Sequence, residues 1–489
     1  MQYLALLGLL AAVGLAAVAY RVIYNVYFHP LSKFPGPFIL RATRLGFAYK
    51  LVTGTIPFDV LKLHEKYGNV VRVAPDQLAF AHPQAWKDIM GHQSTEMPKY
   101  KNYYSPVPGT PQHIVNAERE DHAALRRALA HGFSERSIRD QQSIIKPYID
   151  LLIEHLHQKC DNGVAPQDMV MWYNYTMFDV IGDLSFGESF GCLNSGEYHP
   201  WVRSFFNLAK TGTYLYGASW WPALQRLIIK SIPKSSIKEQ IQMYIMAVEK
   251  TKKRMSMVET RADFAQSLLD RRDKIGLNTQ KLEANATTLV VAGSETTATA
   301  MSGMTFFLLK NPEIHQKLKD EIRGAFKSDE EIDFGAVSNL PYLQACINET
   351  LRAYPPTPSG LPRTVPAGGA TICGEFVPEN TVVAIYQLAM HNRKDNFALP
   401  DEFHPERFLN DERFKNDNKD AFQAFHVGPR ACIGKNLANL EMRAIMARII
   451  YNFDMELSPD CEDWLSRQRV FDVWEKDELK VYLKPVSRS

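Results

Sequence analysis

The chain has 489 residues, 45% hydrophobic and 22% charged, with a formal net charge of +2. That composition fills an ordinary globular core and lacks the basic excess that a nucleic acid partner would need. Its six cysteines are scattered without any CxxC pair, which favours reduced, independent thiols facing the cytosol over a disulfide framework or a zinc site.

Residues 3–20 (YLALLGLLAAVGLAAVAY) carry no charge and are just long enough to span a bilayer. Arg21 ends the run; Tyr24, Tyr27 and Phe28 follow, then Lys33, Arg41 and Arg44. Positive charge after the span places the remainder on the cytoplasmic side. Ala17-Val18-Ala19 has the form of a signal-peptide cleavage site, but no Lys or Arg precedes the apolar run, as a secretory signal requires. The expected organisation is a transmembrane anchor over residues 1–22, a Pro/Gly-rich linker over 23–38 and one globular domain over 39–489. Three Asn-x-Thr sequons (Asn174, Asn285, Asn348) fall inside helical patterns, where a surface glycan is out of place.

An amphipathic helix is expected over 58–67, then a strand over 70–73 between Gly68 and Pro75. Residues 97–116 hold four prolines and three tyrosines without a period, and a loop that long is usually functional. Residues 118–133 read as a helix with acids first and arginines later; His122 and Arg126, four apart, share a face. From 143 to 253 the pattern is mostly helical, broken near 192–200 and at Pro222 and Pro233. Gly187-Glu188-Ser189-Phe190-Gly191 fits the G-x-S-x-G nucleophile elbow, but a helical run precedes it and a polar loop follows, so a serine hydrolase is rejected.

A long apolar helix is expected over 281–310, stopped by Asn311-Pro312. Its centre reads Ala292-Gly293-Ser294-Glu295-Thr296-Thr297. A mid-helix glycine costs about 1 kcal/mol relative to alanine, so Gly293 is expected to open room for a small ligand. A threonine hydroxyl can compete for helix carbonyls, and an acid beside an alcohol can pass protons. A plain small-residue helix crossing is the competing reading. Residues 341–354 form a helix bracketed by Pro341 and Pro355-Pro356, with Glu349 and Arg352 three apart on one face.

Residues 425–434 (FHVGPRACIG) place one cysteine in a short loop, with glycines four before and two after it, an arginine two before it, and a helical pattern behind. A thiolate presented so suits a single soft bond to a haem iron. Glycines let a flat macrocycle approach, backbone N–H groups favour the charged sulfur, and Arg430 can pair with a propionate.

This run resembles, at every defined position, the Phe-x-x-Gly-x-Arg-x-Cys-x-Gly pattern of the thiolate-ligated cytochrome P450 monooxygenases. The resemblance implies a mainly α fold with small β-sheets and haem b (iron protoporphyrin IX) between the long distal helix and the cysteine loop. Cys432 would ligate the metal, with Phe425, Gly428, Arg430, Gly434 and Gly293 around the cofactor. His122 (usually a tryptophan in the family), Arg126 and Arg363 would reach propionates. Thr296 would bond the bound oxygen and Glu295 would relay protons. Glu349, Arg352 and the Arg407 of His404-Pro405-Glu406-Arg407-Phe408 would form a buried structural network. Residues 97–116 and 357–361 would enclose the substrate, and a basic patch of Arg430, Lys435 and Arg443 would receive a reductase.

Residues 27–37 and 172–192 look like fungal secondary-metabolism members. The implied protein is a single-pass endoplasmic-reticulum enzyme with its catalytic domain in the cytosol. It would hydroxylate or epoxidise a hydrophobic molecule, a polyketide or terpenoid, using O2 and electrons from NADPH–cytochrome P450 reductase. A haem-thiolate isomerase or dehydratase, a phenol-coupling oxidase, and a non-catalytic haem carrier or sensor are the alternatives. Loop side chains set the pose in such a pocket, so the substrate is not legible.

Overall fold

The structure, a computed structural model, describes residues 2–487 apart from 94, 106–110, 258–260 and 273, and the side chains of these except 204–208. The middle of the proline-rich loop expected over 97–116 therefore lies outside the described residues.

Helix α1 (Gln2–Ile23) continues into a wider turn at Tyr24–Phe28. No residue of α1 is buried, and Gln2–Phe28 is long and apolar enough to cross a membrane. The Pro/Gly segment that follows is docked: Leu31 and Phe34 are buried, and the Arg72 N–H donates to the Pro35 carbonyl at 2.7 Å. Only glycine fits at 36, since a Cβ there would stand 2.3 Å from the Arg72 oxygen.

The body is built on helices α2 (Arg119–Leu129), α3 (Met169–Phe186), α4 (Pro200–Ala218), α5 (Thr279–Lys310), α6 (Pro341–Ala353) and α7 (Lys435–Asn452). α3 is buried nearly all round, which explains its weak amphipathic signal. It crosses α5 closely: a Cβ on Gly293 would lie 2.9 Å from Ile181 Cδ1. The glycine expected to make space for a ligand thus first makes space for α3. Asn174 and Asn285 are buried on these two helices, so their sequons are not glycan sites. Gly187 caps α3 in a left-handed conformation, φ 76°, so a helix and not a strand precedes Ser189, and no nucleophile elbow forms.

Strands β1 (Val70–Ala74), β2 (Gln77–Phe80), β3 (Arg363–Thr364) and β4 (Val382–Ile385) make one sheet in the order β1-β2-β4-β3. β2 and β4 run parallel, with Gln77 opposite Val382. The strand expected over 70–73 thus belongs to a sheet whose other half is C-terminal. Near the end of the chain β5 (Arg469–Phe471) and β6 (Val473–Glu475) form a tight hairpin. The fold is mainly α with small sheets.

Candidate active site

Between α5 and the loop before α7 lies a slot walled by Gly293, Thr296 and Ala300 on one side and by Phe425, Cys432 and Gly434 on the other. The loop is shaped by backbone constraints. Gly428 takes φ 76°, and a Cβ there would lie 2.0 Å from the Met90 carbonyl oxygen. Close passage of two chain segments, not of a macrocycle, demands this glycine. His426 is also left-handed at φ 57°, held edge-on against Trp86 with ring centres 4.9 Å apart. The Cys432 N–H donates to the Phe425 carbonyl at 2.8 Å, closing the turn.

Cys432 is exposed, and the space it meets is the slot. Enclosure within the slot, away from bulk water, pushes its thiol pKa up; the N–H groups of Gly434 and Lys435 and the Arg126 charge pull the other way. The space beside Gly434 is roomy: an added Cβ would stand 3.9 Å from the Cys432 sulfur, an ordinary contact. Arg126 binds the loop directly, donating to the Ala431 carbonyl at 2.6 Å.

At one end of the slot cations gather. Arg430 pairs with Glu96 and donates to the Ala117 carbonyl at 3.0 Å. Arg363, whose Nη1 lies 3.8 Å from the same Glu96 oxygen, keeps that nitrogen and Nε without hydrogen-bond partners although buried. Burial, Arg430 and Arg363 together lower the Lys99 pKa to about 6. Burial and the charges of Arg430, Lys99, Arg126 and Arg363 lower His122 to about 3. Two guanidiniums, those of Arg363 and Arg430, share the Glu96 carboxylate, so this end of the slot favours anionic groups.

On the α5 wall the Thr296 hydroxyl donates to the Ala292 carbonyl at 2.7 Å, so its lone pairs face the slot side. Glu295 departs from the expectation. It is buried away from the slot lining, where Lys476 pairs with it and also donates to the Thr299 hydroxyl at 2.7 Å. The helical turn sends residues 295 and 296 in directions about 100° apart, so the acid and the alcohol are not side by side.

Beneath the loop, Arg352 grips Glu349 with two bonds of 2.8 and 2.9 Å, and Arg407 reaches the same carboxylate at 3.1 Å. Arg352 also donates to the carbonyls of Pro400 and Glu402 at 2.9 and 3.0 Å, and Arg407 pairs with Asp417. Asp417 gives the second guanidinium its own counter-charge.

A family model for cytochrome P450 matches residues 35–480. The chain belongs to the cytochrome P450 family. It is 44% identical to the cytochrome P450 monooxygenase prhB of Penicillium brasilianum over 474 residues, 96% of both chains. It is 43% identical to the monooxygenase astA of Talaromyces wortmannii, covering 96% of this chain and 97% of that one. With the trichothecene C-15 hydroxylase of Fusarium sporotrichioides it shares 39% identity over 98% of each. This cytochrome P450 is thus an oxidoreductase of the monooxygenase type, and the family implies a haem.

The slot of this cytochrome P450 suits that group: an open cysteine sulfur on one wall, small residues on the other, and orphaned Arg363 nitrogens at the cationic end. Lys99, Glu96 and Lys476 were missed in the sequence. Lys99 sits in an aperiodic loop, and Lys476 lies 181 residues from the acid it holds. The basic patch expected for a reductase is also reduced. Arg430 turns inward with a 9% exposed side chain, and Arg443 donates to Gln344 at 2.6 Å, leaving Lys435 beside the Phe425 ring at 6.0 Å.

Proposed function

We propose that this cytochrome P450 is a membrane-anchored monooxygenase of fungal secondary metabolism that hydroxylates or epoxidises an apolar polyketide or terpenoid. Electrons would come from NADPH through a reductase, with the anchor over residues 1–22 in the endoplasmic reticulum and the domain over 39–489 in the cytosol. The observation that carries the reading is the Cys432 sulfur opening into a slot faced by Gly293 and Thr296 and ended by unneutralised cations.

In this reading Cys432 holds the iron of haem b, and Arg126, Arg363, Arg430, Lys99 and His122 hold its propionates by charge-assisted bonds. Thiolate-ligated haem supplies the activation of O2 for transfer of one oxygen atom, the other leaving as water. Thr296 stands where its hydroxyl can exchange its helix carbonyl for a partner in the slot. Glu295 can carry protons to that hydroxyl only after leaving Lys476, so proton delivery is gated by a buried ion pair. Phe425 and the apolar slot walls exclude water. Glu349, Arg352 and Arg407 fix the segments that lead to the cysteine.

The test is spectroscopic first. The reduced carbon-monoxide adduct of the purified protein is expected to show the red-shifted Soret band of thiolate ligation, and Cys432→Ala to lose it. Full haem content and turnover in Cys432→Ala overturns the reading. Membranes supplemented with reductase, NADPH and O2, fed polyketide and terpenoid intermediates, are expected to give products one oxygen atom heavier.

A further inference from the structure

Thr357 and Leu361 are a shared wall: the slot lies on one side and a second cavity of about 330 Å³ on the other. This second cavity is largely apolar and aromatic, with Phe47, Leu51, Tyr216 and Tyr386 among its lining. One carboxylate, Asp472, opens into it.

Asp472 is the tip of the β5–β6 hairpin, where Phe471 pairs directly across to Val473. Its backbone is left-handed at φ 67°, a conformation that aspartate tolerates better than most residues. Val470 N–H donates to the Gly54 carbonyl at 3.0 Å, and Lys210 of α4 pairs with Glu475 at 2.7 Å, so the hairpin is fastened on both sides. Tyr103 donates its hydroxyl to one oxygen of Asp472. Among the described residues that is the one side chain bonded to the carboxylate, and no cation pairs with it. Burial pushes the Asp472 pKa up while the Tyr103 hydroxyl pulls it back. A carboxylate has about four acceptor positions, and leaving most of them unused in an apolar enclosure is costly.

We infer that Asp472 is the anchor for a neutral hydroxyl group on an otherwise apolar ligand, which it holds so that the carbon skeleton runs past Thr357 and Leu361 into the slot. The cations nearest the cavity are already engaged, Lys210 by Glu475 and Arg44 by Asp76, and the rest of the lining is largely apolar and aromatic. An anionic head would meet Asp472 itself, and an ammonium head would give up its hydration there for a single counter-charge. A hydroxyl donor meets neither penalty and fills the vacant acceptor. The inference rests on the monooxygenase reading for the direction in which the ligand points; the anchoring contact stands apart from it.

Equilibrium dialysis of the haem-loaded enzyme tests this with three probes on one skeleton: the alcohol farnesol, the hydrocarbon farnesene and farnesoic acid. The variants are Asp472→Asn and Asp472→Gly, both compatible with the left-handed backbone. The wild type is expected to reject the acid. Asp472→Gly is expected to lower the alcohol-to-hydrocarbon affinity ratio by about tenfold, the scale of a hydrogen bond to a charged group. Asp472→Asn is expected to lower that ratio less and to admit the acid. A ratio unchanged within about twofold in both variants, or a wild type that binds the acid as tightly as the alcohol, overturns the inference. Dialysis reads binding without turnover, so a missing thiolate Soret band would sink the monooxygenase reading while leaving this result interpretable.

Discussion

Lys476 and Glu295 form an ion pair with side chains only 2% and 1% exposed. The second Glu295 oxygen has no hydrogen-bond partner, so Lys476 is the main compensation for a charge held out of water. Lys476→Met strands that carboxylate and is expected to cost ~3–5 kcal/mol. Lys476→Met combined with Glu295→Gln removes both charges and is expected to regain most of the loss. Urea unfolding of the haem-loaded proteins measures both; a single variant as stable as wild type would show that the pair holds nothing.

The Glu349 carboxylate serves two guanidiniums at once and also accepts from the His404 N–H at 2.9 Å. Arg352→Ala removes two bonds to it and exposes the carbonyls of Pro400 and Glu402, with an expected loss of ~3–5 kcal/mol. Arg407→Ala is expected to cost the same order and to leave Asp417 unpaired as well. The yield of folded, haem-containing protein from matched expressions should fall for both. Normal yields and melting temperatures would remove the network from the account.

Gly428→Ala tests whether close chain passage shapes the cysteine loop. The added methyl meets the Met90 carbonyl, and the backbone sits where a side chain is strained, so the variant should lose at least ~1–3 kcal/mol. Gly434→Ala adds a methyl with only ordinary contacts and should cost less. The order of the two melting temperatures decides the matter.

Glu441 on α7 is buried beside the slot, one oxygen lacks a partner, and burial pushes its pKa well above the usual carboxylate range. An acid shifted upward in the folded state contributes its full stability below its ordinary pKa and loses it as the pH rises through the raised value. Wild-type stability should therefore fall as the pH rises above the ordinary carboxylate range toward the raised value, by up to about 1.4 kcal/mol per pH unit. Glu441→Gln should lack this component, and its unfolding free energy measured against pH should be flatter. Parallel profiles would mean that Glu441 is charged in the folded protein.

What the sequence disclosed and what it hid divide along chain distance. The cysteine loop was legible because its constraints fall within ten residues, and Glu349 with Arg352 because a helix fixes what stands three residues away. Proline positions marked the stop of α5 and both ends of α6 for the same reason. The atoms that leave no room for a side chain at Gly293 and Gly428, Ile181 and the Met90 carbonyl, belong to other elements, so the local sequence could not name them. Glu295 was read as Thr296's neighbour in function; the partner that redirects it follows β6. Lys99 was hidden because the proline-rich loop has no period from which to infer a facing.

The parallel pairing of β2 with β4 has a consequence for biogenesis. An edge formed early in synthesis gains its mate only after most of the polypeptide has left the ribosome. Until then Leu78 and Phe80, both buried in the finished molecule, lack the part of their cover that Val383 and Ile385 supply. Such a layout delays closure and leaves an unpaired strand edge open to aggregation while the chain is being made.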